Sequence, residues 1–182
     1  MSIVSHDGNV IHQEVFMMAR FARLPLLGAT LLAGSALAGP MPVLDQQNVS
    51  LALANQLVDA TLEACHAEDH TAVVAVVDRG GNLVALKRDD NIGPHNTKAA
   101  QRKAYTSLST KSTSRELAEH ARNDPSSANL TTVDDLLLLG GGVPVRLGGD
   151  VIGAIGVAGA GGSAIDEGCA MDGITNTLSE QS

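Results

Sequence analysis

Beyond Gly39 the chain contains a single aromatic residue, Tyr105, and it has no Trp anywhere. Both Phe residues, Phe16 and Phe21, lie near the start. A core built downstream must therefore use Val, Leu, Ile and Ala, with glycine letting backbones approach closely. Stacking platforms for bases or sugars are excluded for the same reason. Apolar residues make up 44% of the 182 positions, enough for one packed domain of ordinary size.

Twelve Lys and Arg face twenty Asp and Glu, a net charge of −8. An acidic chain without a basic stripe does not displace counterions from nucleic acid. Nor is it drawn to an anionic membrane surface.

The first forty residues read as an address. Arg20 and Arg23 precede an uncharged stretch, 24–38, rich in Leu, Ala and Gly, which closes on Ala36-Leu37-Ala38 before Gly39-Pro40. A positive region, an apolar region and an A-x-A site predict a signal peptide over 17–38, with 1–16 an upstream extension or a mis-assigned start. Fifteen residues interrupted by Pro25 are short for a membrane span. Ser35 stands where a lipid anchor needs Cys. The expected location is periplasmic or secreted, with no membrane span in the mature chain, 39–182. In that setting the two cysteines, Cys65 and Cys169, either pair with each other or stay free.

Within 39–182 the order α-β-β-α-α-β-β-β-α is predicted. A helical pattern starts at Asp45 and puts Val49, Leu53, Leu57, Ala60 and Ala64 on one face. The β-branched run 71–77 is a buried strand, joined through Asp78-Arg79-Gly80-Gly81-Asn82 to a second strand, 83–87. Helices follow over 96–109 and 114–122. Strands are predicted at 136–139, 143–147 and 151–158, the last two joined by a turn at Gly148-Gly149-Asp150. A final helix covers 164–178. Tight turns make the pairs antiparallel, so the expectation is an α+β domain with a five-stranded antiparallel sheet flanked by helices.

The general motifs are weak or absent. No H-E-x-x-H, C-x-x-C, G-x-S-x-G or P-loop occurs. Gly159-Ala160-Gly161-Gly162-Ser163-Ala164 matches the dinucleotide fingerprint, but the chain ends before a second parallel strand and its acid would fit. Ser163 and Asp166 read there as a capping box.

Three blocks, "AVVAVVDRGGNLVALKRDDN", "AAQRKAYTSLSTKSTSRELAEHA" and "LLLLGGGVPVRLGGDVIGAIGVAGAGGSAIDEGCA", stand in this order. In this the chain resembles the GlcG/HbpS-type haem-binding (haem-degrading) family, which includes the C-terminal domain of PduO-type proteins. The resemblance spans about 43–178. It implies a sheet flanked by helices, a homo-oligomer, and haem held near a subunit interface. It also implies an iron ligand that is a threonine in one branch and a histidine in the first helix in another.

On this chain the iron ligand would be His66, Thr106 or Thr113. Arg102 and Lys103 would meet the propionates. Tyr105 would line the pocket, and Gly141 and Gly142 would offer backbone N–H groups to a flat ligand. Each has an ordinary reading. His66 points away from its helix's apolar stripe and is then a surface residue. Thr106 bonds a preceding carbonyl, and Thr113 caps a helix with Glu116. Tyr105 packs, and the glycines permit close approach. His70, His95 and His120 read as helix-end, loop and solvated residues, and Asp78 as a turn former. Two other functions stay open: a non-haem small-molecule binder linked to hydroxy-acid or corrinoid metabolism, and a ligand-free structural oligomer.

Overall fold

A computed structural model describes residues 41–179. The expected extension, 1–16, and leader, 17–38, lie outside the described residues.

The first helix, α1 (Leu51–Ala67), starts later than the periodicity predicts. Ser50 fixes its start, because the side chain accepts from the Leu53 N–H. Val49 then precedes the helix, yet it is buried and donates to the Ile152 carbonyl. The buried stripe is Ala54, Leu57, Val58, Thr61 and Cys65, one residue round from the predicted face. The predicted face is one residue off because Thr61, in the middle of the buried stripe, does not enter an apolar count.

Strands β1 (Val73–Asp78) and β2 (Leu83–Arg88) form the predicted hairpin. Asp78 makes the turn: its Oδ1 accepts from the Gly80 and Asn82 N–H groups at 2.9 and 2.8 Å. Helices α2 (His95–Thr110) and α3 (Ser114–Asn123) follow. A short 3-10 turn (Ala128–Thr132) leads to β3 (Gly142–Leu147), β4 (Asp150–Ala158) and α4 (Ser163–Ser179).

The sheet has four strands in the order β2-β1-β4-β3, all antiparallel. The predicted fifth strand, 136–139, is not one. Side chains satisfy its backbone instead of a neighbouring strand. Arg102 donates to the Asp134 and Leu136 carbonyls, Thr106 Oγ1 accepts from Leu137 N–H, and Ser114 donates to the Leu139 carbonyl.

Helices cover both faces. Val74, Val76, Val145 and Val157 pack with Leu57, Val58 and Ala170 in a core shared with α1 and α4. Val73 and Ala75 pack with Ala100, and Val77 and Ala154 with Ala104, beneath α2. β1 is thus buried on both sides, which explains its unbroken apolar run. The α2 side uses alanine, so the helix axis lies close to the sheet. Gly142 and Gly156, opposite each other on β3 and β4, form the notch that receives it. A Cβ on Gly142 would stand 2.1 Å from the Lys103 carbonyl oxygen. No helix among the described residues is long and apolar enough to cross a membrane.

Candidate functional site

One end of the sheet collects unusual chemistry. Here β1 begins while β2 and β4 finish, since Val73 pairs with both Arg88 and Ala158. The C-terminal end of α1 and the N-terminal ends of α2 and α4 lead into or out of these strand ends.

His66 lies in the last turn of α1 with its ring 49% exposed, as its helical phase predicts. Its Nε2 is 2.9 Å from Asp89 Oδ2. That carboxylate is itself fixed, because the same oxygen accepts from the Ala72 N–H at 2.7 Å. Asp89 thereby ties the ring to the start of β1. A carboxylate on one imidazole nitrogen orients the ring and raises the basicity of the other.

Two more histidines belong to this end. His70 approaches Gly161, and His95 packs over Gly93 at the start of α2. Between α2 and α4 lies a cavity of about 360 Å³ whose lining includes His95, Lys103, Ser163 and Asp166. His120, on α3, is elsewhere and stands 3.4 Å from Asp124. Hydrogen bonds from the Ser126 hydroxyl and backbone hold the Asp124 carboxyl below its usual range.

The other candidates are spread over α2, α3 and β3. Arg102 is held by the loop carbonyls described above. Lys103 is buried; its Nζ donates to Asp166 Oδ2 at 2.6 Å and to the Val157 carbonyl at 3.0 Å. Thr106 is fully buried, donates to the Arg102 carbonyl and accepts from Leu137 N–H. Thr113 forms the predicted capping box with Glu116. Tyr105 is at the surface against Gly81. The Gly142 N–H donates to Ser114 Oγ, and the Gly141 carbonyl accepts from Val157 N–H. His66 and the α2 residues therefore sit on opposite sides of the sheet within one chain.

Asp89, Arg115, Asp166 and Glu167 organise this region. Asp166 does not form a capping box with Ser163. Its Oδ1 accepts from the Ala160 N–H at 2.9 Å while Oδ2 holds Lys103. Glu167, beside it and also buried, accepts from Arg115 Nε and Nη2 through one oxygen. Hydrogen bonding and charge from Glu167 hold the Arg115 guanidinium above its usual range. Two adjacent acids near the start of α4 are a signal for cationic partners, but those partners, Lys103 and Arg115, lie more than fifty residues away in sequence.

A family model described as haem degrading protein HbpS-like matches residues 49–175. The chain belongs to this family. It is 32% identical over 110 residues to protein GlcG of Escherichia coli K12, covering 60% of this chain and 81% of that protein. It is similar to the crystal structure of a double mutant of Streptomyces reticuli HbpS. The identity is 32%, the TM-score 0.70, and the match covers 79% of this chain and 97% of the other. A PduOC:heme complex shares the fold at 23% identity, with a TM-score of 0.63 over 70% of this chain and 94% of that one.

Proposed function

We propose that this protein binds haem with His66 as an iron ligand, at the end of the sheet where β1 begins. The observation that carries this reading is the exposed His66 held by Asp89 on a chain of the HbpS-like family. The donor set fits haem. With Nε2–H donated to Asp89, Nδ1 presents its lone pair and has no partner among the described residues. When bound, haem supplies the iron-centred redox chemistry from which its own breakdown would draw. This chain's residues orient the imidazole and fix its tautomer.

The threonines fit less well. Thr106 would have to leave the interior and release Leu137, and Thr113 would have to give up its cap. As propionate partners, Arg102 would use the guanidinium N–H groups other than Nη2, which holds the loop carbonyls, while buried Lys103 would have to exchange existing bonds. The bodies of α1 and α2 cover opposite faces of one sheet, which favours two copies as the source of contributions from both. We therefore place the haem near a seam in a homo-oligomer.

Hemin titration tests the assignment. His66→Ala is expected to weaken binding by about tenfold or more and to change the Soret band. Thr106→Ala and Thr113→Ala should leave the band in place. A His66→Ala spectrum identical to the parent's overturns the ligand. A colourless protein without hemin affinity, but stabilised by small hydroxy acids, overturns haem altogether.

Export belongs to the same proposal. Expressed with its own leader in a bacterial host, the product should lose residues up to Ala38 and begin at Gly39. Intact mass of the secreted or periplasmic fraction checks this, and an uncut chain overturns it.

A further inference from the structure

Cys65 and Cys169 form a disulfide across 104 residues, joining the last turn of α1 to the middle of α4. Cys65 immediately precedes His66. Its carbonyl also accepts the N–H groups of Glu68 and His70, so the end of the helix and the exit toward β1 hang on this residue. The two residues are not equally enclosed. Cys65 is fully buried, whereas Cys169 is 6% exposed and lines an open cavity of about 260 Å³ with Glu68, His70 and Asp172.

We propose that this disulfide is a redox latch on the haem site: closed, it holds the turn carrying His66, and a dithiol reductant opens it through Cys169 and lowers haem affinity. The proposal rests on the assignment of His66 as haem ligand. A thiolate of the dithiol enters the cavity and attacks Cys169 Sγ. The Cys65–Cys169 bond breaks, and Cys65 Sγ leaves with the electron pair and takes up a proton. The second thiol of the reductant then attacks the mixed disulfide. Cys169 is released and protonated, and the reductant departs as its own disulfide. Two electrons and two protons pass to the protein.

Opening acts locally because the two halves of α1 are held differently. Ala54, Leu57, Val58 and Thr61 anchor the body of the helix in the core. The last turn has the disulfide and the His66–Asp89 contact, and terminal helical turns fray first. Without the disulfide, the side chain of His66 itself is held by one exposed hydrogen bond, to Asp89.

The test uses the purified protein in its oxidised form and after reduction by dithiothreitol, desalted anaerobically before hemin is added. The reduced form is expected to bind hemin about tenfold more weakly, the scale for losing support behind a metal ligand. Its far-UV dichroism should be unchanged, and faster amide exchange should be confined to 62–70. Cys65→Ser/Cys169→Ser should match the reduced form and ignore reductant, and the residual hemin binding of His66→Ala should ignore it too. Equal affinity in both redox states overturns the latch and leaves the haem reading standing. No Soret band in either state overturns both. Loss of the whole dichroism spectrum on reduction also overturns the latch, because the bond is then a staple for the entire domain.

Discussion

Lys103→Met is expected to destabilise the domain by about 3–5 kcal/mol, the cost of leaving one partner of a buried ion pair uncompensated. Lys103 and Asp166 are each about 5% exposed at the side chain. The ammonium donates to a carboxylate and a carbonyl, so methionine of similar length removes both bonds and leaves Asp166 Oδ2, inside the protein, without its cation. In thermal unfolding this corresponds to a fall of about 10 °C or more. The double variant Lys103→Met/Asp166→Asn should recover part of the loss. It removes the stranded charge, and the Asn side-chain oxygen still accepts from the Ala160 N–H. A single variant within about 1 kcal/mol of the parent would show that the pair is not desolvated as described. A double variant no better than the single would show that the charge is not the source of the cost.

The same pair marks how far sequence reasoning reached. Local signals were legible. The β-branched run of β1, the Asp78 turn, the Thr113–Glu116 capping box and the outward phase of His66 each follow from residues a few positions apart. The α+β class and the antiparallel pairing were readable for that reason. What failed depended on distant partners. The segment 136–139 has strand composition, but Arg102, Thr106 and Ser114 take its backbone groups. The bond from Thr106 to the preceding Arg102 carbonyl is local and legible, whereas the Leu137 N–H from which it accepts, thirty-one residues away, is not visible from its own helix. Asp166 resembled a cap for Ser163, and only folding brings it to Lys103. His66 was legible as an exposed imidazole. The carboxylate that orients it lay in a loop with no pattern to single it out.

Gly156→Ala should be as damaging as loss of the buried cation, for a steric reason. The absent Cβ would lie 1.9 Å from the Ala100 carbonyl oxygen and 2.6 Å from the Ala104 nitrogen, both backbone atoms of α2. No rotamer relieves such a contact, so α2 must lift from the sheet. Lifting it opens the alanine layer formed by Ala100, Ala104 and Ala154. The expected loss is at least about 3 kcal/mol, the upper end for overpacking a close-packed interior. Gly168→Ala supplies the opposite sign. It lies inside α4, where an added Cβ meets nothing within 4 Å. Alanine there should stabilise by about 0.5–1 kcal/mol through helix propensity and a less flexible unfolded chain. Denaturant midpoints of the two variants, at constant m-value, separate these effects. If Gly156→Ala is tolerated without displacement of α2, glycine is not what brings helix and sheet together, and the reason for so little aromatic residue in the core must be sought elsewhere.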